Sequence, residues 1–305
     1  MLRTESSPIL RERAWRLARL FAVSLVFALL SLPVLAGLVF TWGLLNPPCG
    51  GYVSIPETAV HWDEVIFSGP AGQIRGSLLA GDNGAAVIIP PALAAGATNR
   101  MREAAMLNQR GYTVLMFESR RCAQTGPLSL GYHEADDIAA ALDYLLTRPD
   151  VDAGRIGVYG FSAAGAASIM AAARRPGLKA VVAEGGYADF YDDTLTPNHT
   201  NIFLRGFQAV FAWTVRFTYY LVTGVSIDRL APVEVIGQIA PRPVLLIYGS
   251  QEASLAGGRR QHQAAETTAT LWVVPDARHG TYWQAAPAEY ERRVISFFDE
   301  ALKTN

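Results

Sequence analysis

The stretch RIGVYGFSAAGAASIMAAARR, Arg155–Arg175, decides the fold. Ile156, Val158 and Tyr159 make an apolar strand that runs into Gly160-Phe161-Ser162-Ala163-Ala164-Gly165 and then directly into an alanine-rich helix. A strand, a turn of small residues around one serine and a helix is the setting of a nucleophile elbow, which lifts the hydroxyl above the end of a sheet. Small neighbours are required because strand and helix backbones pass too close for bulk. The N–H that follows the serine, on Ala163, opens a helix and is free to meet an oxyanion. The pattern reads G-x-S-x-A, with Ala164 where a second glycine is usual.

Outward from this point, short apolar runs alternate with helical periods, as βαβ units around a mostly parallel sheet require. Ala59–Phe67 and Gln73–Ala80 predict an opening hairpin. Buried strands are expected at Ala85–Ile89, Thr113–Phe117, Arg155–Tyr159, Lys179–Ala183, Pro243–Tyr248 and Thr270–Val274. Helices are expected at His133–Leu146 and Ala163–Arg174, and the stripe Tyr290, Val294, Phe297, Phe298 and Ala301 predicts a last helix packed on the sheet. Between Ala183 and Pro243 the chain is too long for a simple crossover. This insertion, about 187–238, contains FLRGFQAVFAWTVRFTYYLVTG, Phe203–Gly224. It reads either as ordinary core helices or as a cap over an apolar pocket or the membrane surface.

A serine hydroxyl attacks only when a base takes its proton, and in chains of this order the acid follows the serine and the histidine follows the acid. Three histidines follow Ser162. His279 lies in Pro275-Asp276-Ala277-Arg278-His279-Gly280, just past the last strand, where the base belongs; His262 falls on a helix and His199 in the insertion. Glu252 follows the strand Pro243–Tyr248 on Gly249-Ser250-Gln251-Glu252 and is the expected acid, with Glu184, at the end of the preceding strand, as the alternative. The second oxyanion donor should come from the loop after Ala85–Ile89. There Pro90 and Pro91 have no N–H, so the first available one is on Ala92.

From Leu20 to Leu45 the sequence holds 26 residues without a charge. As a helix this is about 39 Å, enough to cross an apolar layer of about 30 Å. Residues 1–19 carry five arginines against two glutamates, while beyond the span no Lys or Arg occurs before Arg75. The asymmetry predicts a cytoplasmic N-terminus and an extracytoplasmic remainder. The run is too long for the core of a cleaved signal peptide and too uniformly apolar for a globular core helix. The expected organisation is a flank at 1–19, a membrane helix at 20–45, a Pro/Gly-rich linker at 46–58 and one domain at 59–305.

Half of the 305 residues are hydrophobic and 17% are charged, which excludes a disordered chain. A net charge of −1 gives no bulk attraction to nucleic acid, and no nucleic-acid partner is expected. No phosphate loop, dinucleotide fingerprint or H-E-x-x-H is present, so no cofactor or metal is expected. Asp136-Asp137 opens a helix, where acids offset the dipole. Cys49 and Cys122 could pair only in an oxidising compartment; one follows the span and the other sits in a loop near the active face, which argues against a bond.

The segments RGYTVLMFESRR (Arg110–Arg121), LGYHEADDIAAALDYLLTRPDVDAGRIGVYGFSAAGA (Leu130–Ala166), IAPRPVLLIYGSQE (Ile239–Glu252) and PDARHGTYWQAAPAEYERRVISFFDEAL (Pro275–Leu302) extend the match. On these residues the chain from about Ala59 resembles the α/β-hydrolase superfamily. Within it, the chain resembles membrane-anchored serine hydrolases of the dienelactone hydrolase and prolyl-oligopeptidase-like branch. The resemblance implies Ser162 as nucleophile, Glu252 as acid, His279 as base, and metal-free hydrolysis of an acyl ester or a related bond, thioester and peptide included; the apolar insertion and the membrane helix point to a hydrophobic acyl substrate such as a lipid. It departs from the family at Pro90-Pro91, where His-Gly is usual, at Ala164 for Gly and at Glu252 for Asp. The prolines motivate the alternative, a membrane-tethered binding or scaffold protein that kept the fold without turnover.

Overall fold

The computed structural model describes residues 8–49, 61–92, 100–197 and 199–304. Most of the expected linker, and Ala59 at the start of the first expected strand, lie outside these. Eight strands form one sheet in the order β1-β2-β4-β3-β5-β6-β7-β8. β1 (Asp63–Gly69) and β2 (Gly72–Leu79) make the predicted antiparallel hairpin, and β2 pairs antiparallel with β4 (Thr113–Phe117). From β4 onward every pairing is parallel, through β3 (Ala86–Ile89), β5 (Ile156–Phe161), β6 (Ala180–Glu184), β7 (Val244–Gly249) and β8 (Ala269–Val274). Each predicted buried strand is present, shifted at most by a residue or two at its ends.

The helices follow as α1 (Pro8–Leu45), α2 (Met101–Asn108), α3 (Glu134–Leu146), α4 (Ala163–Arg174), α5 (Phe190–Thr194), α6 (Ile202–Thr223), α7 (Pro232–Val235), α8 (Leu255–Ala264), α9 (Tyr282–Ala285) and α10 (Pro287–Ala301). Strand alternation divides the core. Ala86 and Ile88 face α3 and α4, whereas Val87 and Ile89 face α2 and α10. The stripe on α10 is buried through Tyr290, Val294 and Phe298, as its spacing predicts, with Ile295 added.

A third cluster is built by the insertion. Phe190, Leu195, Ala212, Val215, Tyr219 and Leu230 pack together with Leu45, the last residue of α1. In place of a pair of core helices the insertion holds one long helix, α6, whose buried side meets the domain and α1. Pro33, Gly37 and Thr41 form a buried stripe on α1 at four-residue spacing. A Cβ on Gly37 would stand 2.8 Å from the Cβ of Thr214, so glycine permits this approach. Phe40 and Phe211 add an edge-to-face ring contact.

Among the described residues one helix, Glu12–Leu45, is long and apolar enough to cross a membrane, and little of it is buried. Its C-terminal end is tied to the domain twice. Leu128 N–H donates to Leu45 O at 3.0 Å, and Cys49 is bonded to Cys122. The expectation that these cysteines stay apart is corrected. The loop after β4 folds back on the end of α1 and brings their Cα atoms to 5.5 Å, a separation that sequence position did not reveal.

Candidate active site

β5 ends at Phe161 and α4 begins at Ala163, so Ser162 alone makes the turn, with φ 57° and ψ −128°. A non-glycine residue there is strained by roughly 1–2 kcal/mol. The strain is held by neighbours that leave no alternative. Ser162 N–H donates to Glu184 O on β6 at 2.7 Å, and a Cβ on Gly160 would meet Ala164 O at 2.3 Å and Ser168 Oγ at 2.4 Å. Ala164 keeps its methyl because that side of α4 opens onto a cavity.

The loops after β7 and β8 are joined to each other before they reach the serine. Gln251 N–H donates to Ala277 O at 3.0 Å, and Asp276 N–H donates to Ser250 Oγ at 2.8 Å. From these loops Glu252 and His279 extend toward the elbow. His279 Nδ1 lies 2.7 Å from Glu252 Oε1 and His279 Nε2 lies 3.1 Å from Ser162 Oγ. The carboxylate only accepts, so Nδ1 carries the proton and Nε2 accepts from the serine hydroxyl. Glu252 also receives Gly249 N–H at 2.9 Å, Tyr282 OH at 2.7 Å and the Ser254 hydroxyl. Burial works to raise its pKa, but these bonds, led by that from His279, outweigh it and hold the carboxyl below its ordinary range.

Glu184, the alternative acid, does not reach the imidazole. Its side chain is fully buried and accepts Tyr290 OH at 2.6 Å, while Oε2 has no hydrogen bond and lies 3.9 Å from Arg100. Burial pushes its pKa up to about 7 against the opposing pull of Arg100. Arg100 in turn stacks its guanidinium 3.7 Å from the centre of the Phe161 ring, which also meets the His279 ring at 4.8 Å and the edge of Tyr282 at 6.4 Å. This stack, and Tyr282, were not anticipated. Gly185 was also overlooked. At φ 58° it passes so close under the acid–base pair that a Cβ would stand 2.2 Å from Tyr282 OH, 2.7 Å from Glu252 Oε1 and 2.8 Å from His279 Nδ1. The run Glu184-Gly185-Gly186 directly after a buried strand was the available signal.

Ala163 and Ala92, the expected oxyanion donors, line one cavity with Pro90, Pro91, Leu128 and Leu130. It encloses about 410 Å³ counting its open mouth, but only about 20 Å³ is wide enough for the centre of a water molecule, so it is a slot. Asp137, in the first turn of α3 as expected, also lies at its wall. Arg120 donates to it twice, at 3.0 and 2.8 Å, and Glu134 accepts from Ser129 and Gly131 to shape the neighbouring turn. Burial raises Asp137 to about 6 despite that arginine. No residue of α6 lines this slot, and among the described residues no cluster of three or more His, Cys, Asp or Glu could hold a metal.

Residues 84–215 match the family model of X-Pro dipeptidyl-peptidase (S15 family). An uncharacterised Pseudomonas aeruginosa protein, PA2218, is 24% identical over 64% of this chain, and the match spans 66% of that relative's length, just under two thirds. Its crystal structure superposes with a TM-score of 0.61 at 22% identity, covering 81% of this chain and 96% of that one. The esterase Pf2001 of Pyrococcus furiosus gives a TM-score of 0.64 at 21% identity, over 84% of this chain and all of that one. Dipeptidyl peptidase 4 of Porphyromonas gingivalis gives 0.58 at 16% identity, over 80% of this chain and 36% of that one.

Proposed function

From a chain that belongs to the α/β-hydrolase superfamily, we propose a membrane-anchored serine hydrolase that cleaves an ester-type substrate through an acyl-enzyme on Ser162. The observation that carries this reading is the unbroken line Ser162–His279–Glu252, at 3.1 and 2.7 Å, with the serine on a strained turn at a helix N-terminus. His279 Nε2 takes the hydroxyl proton as Oγ bonds to the carbonyl carbon. The carbonyl electrons move to oxygen, which Ala163 N–H and Ala92 N–H receive. Collapse returns the electrons, breaks the bond to the leaving group and delivers the proton to it. Water then repeats the sequence on the acyl-enzyme, releasing the acid and restoring Ser162. Glu252 stays ionised, keeps the proton on Nδ1 and stabilises the imidazolium at each half-reaction.

The slot beside Ala163 takes the acyl group in this reading, and its small enclosed volume favours a slender acyl group over a bulky one. α1 provides the anchor. The arginine-rich flank supports a cytoplasmic N-terminus, and the Cys49–Cys122 bond agrees with a domain in an oxidising, extracytoplasmic space. Pro90-Pro91 at the slot favour the second reading, a binding or scaffold protein without turnover.

One experiment separates them. The full chain in detergent is treated with a fluorophosphonate probe and then given p-nitrophenyl esters of increasing chain length, with Ser162→Ala and His279→Ala alongside. Labelling and turnover that vanish in both variants support the hydrolase. Wild-type protein that neither labels nor turns over any ester overturns it in favour of the binding reading.

A further inference from the structure

α6 is amphipathic in an unusual sense, because both its faces are apolar. Ala212, Val215 and Tyr219 are buried against the domain, and Thr214 against α1. At about 100° per residue, Ile202, Phe203, Trp213, Phe217 and Leu221 fall on a second arc beside the α1 contact, and that arc has no charged residue. It is also bare: Phe203 is 84% exposed, Trp213 62% and Leu221 64%. Trp213 and Phe217 stack on each other with their rings 5.5 Å apart. So large an exposed aromatic surface is not left to water.

We propose that this face is embedded in the bilayer, among the acyl chains of the leaflet that the last turns of α1 cross. The inference rests on α1 being the membrane anchor. The surface is continuous with that of α1: the Gly37–Thr214 approach sets the two helices side by side, and beyond it Leu35, Leu38, Val39 and Trp42 are exposed on α1. A lipid-facing residue on one helix therefore has a lipid-facing neighbour on the other.

The polar groups follow the same rule. Thr41, Thr214 and Thr223 each donate a hydroxyl to a carbonyl four residues earlier, at 2.8, 2.9 and 2.7 Å, which satisfies them without water. Arg205 and Arg216 fall within about 20° of each other on the helix, on the flank between the buried and bare faces. Arg216 is paired with Asp228 on the domain side. An arginine row along one edge of an aromatic face suits a helix at the level of the headgroups, with cations outward and rings inward.

The consequence for catalysis is positional. Tyr219 OH of α6 donates to Ser129 O at 2.8 Å, between Leu128 and Leu130 of the slot wall. α6 therefore braces the outer side of the segment that carries Leu128 and Leu130 to the slot, without lining the slot itself.

The test uses the full chain reconstituted in vesicles of phosphatidylethanolamine and phosphatidylglycerol, three to one. p-Benzoylphenylalanine replaces Phe203, Phe217, Phe27 on α1, or Leu146. Leu146 ends α3 at the far end of the sheet from the serine and is itself exposed. On irradiation, lipid adducts at 203 and 217 are expected within about threefold of those at 27 and at least tenfold above those at 146. Adducts at 27 but not at 203 and 217 overturn the inference and leave the anchor standing. Crosslinks from 203 or 217 to a second protein chain also overturn it. No lipid adduct at 27 overturns the anchor reading, and this inference with it.

Discussion

Replacing Glu252 by Gln keeps the size of the side chain but removes its charge and turns one acceptor oxygen into a donor. In the native arrangement, Oε1 receives His279 Nδ1–H and the Ser254 hydroxyl, while Oε2 receives Gly249 N–H and Tyr282 OH. An amide has one acceptor oxygen. The hydroxyls of Ser254 and Tyr282 can turn, but the backbone N–H of Gly249 cannot, so the amide oxygen is forced to the Oε2 position. The amide N–H₂ then faces His279, whose Nδ1 must become an acceptor. The ring proton moves to Nε2, the atom that has to take the proton from Ser162. A wrong tautomer of this kind costs about 10⁴ in turnover, or about 5.4 kcal/mol at 1.36 per decade. The assay is the second-order rate of fluorophosphonate labelling together with kcat/KM on p-nitrophenyl butyrate, with melting followed in parallel. A loss under tenfold in protein that melts as the wild type does would refute the assignment of Glu252.

Glu184→Gln should cost less than tenfold in the same assay, because Glu184 does not touch His279. Its effect belongs to stability. The native state raises this carboxyl from 4.5 to about 7, so folded protein holds a proton that the unfolded chain releases. That contribution is complete below about pH 4.5 and is lost as pH rises through 7. The melting temperature of Glu184→Gln should therefore fall less than that of wild type between pH 5 and 8; parallel curves would contradict the argument. Gly185→Ala places a methyl against Tyr282, Glu252 and His279 at a positive φ, and should lower kcat at least tenfold while melting several degrees early. Retention of both would show the loop relaxes freely. Cys49→Ser opens a loop of 73 residues, for which chain entropy predicts about 4 kcal/mol. Urea unfolding of oxidised wild type against the variant measures it, and coincident midpoints would mean the bond adds nothing.

What could be read from the chain and what could not divide along a physical line. The elbow was legible because its constraint is local: strand, small residues and helix within a few positions force Ser162 into its turn. The candidate acid and base could be named because β7 and β8 announce their ends, and the loops beyond them carry one suitable residue each. Glu252 was preferred over Glu184 from its place on the loop beyond β7, and the two carboxylates do part company: Glu252 reaches His279, whereas Glu184, the last residue of β6, meets Tyr290 and Arg100. The Arg100–Phe161–His279 stack joins three separate segments, and nothing in any of them marks the others. Gly185 was visible as a glycine and invisible as a necessity, because what it avoids arrives from Glu252 and Tyr282. The two cysteines misled for a related reason: their distance along the chain says nothing about a loop that folds back to meet the end of α1.

That fold-back has an effect of its own. A catalytic domain on a slack tether samples all orientations, and its encounters with substrate scale with bulk concentration. Here a covalent strut, a backbone bond and a helix–helix seam fasten the last turn of α1 to the wall beside the serine. With α1 as the proposed anchor and Ser162 as the proposed nucleophile, the mouth would keep one height and one heading in a bilayer, and the protein would search in a plane. On that reading the rate follows the surface density of what lies in the leaflet, and dilution of the vesicles should leave it unchanged.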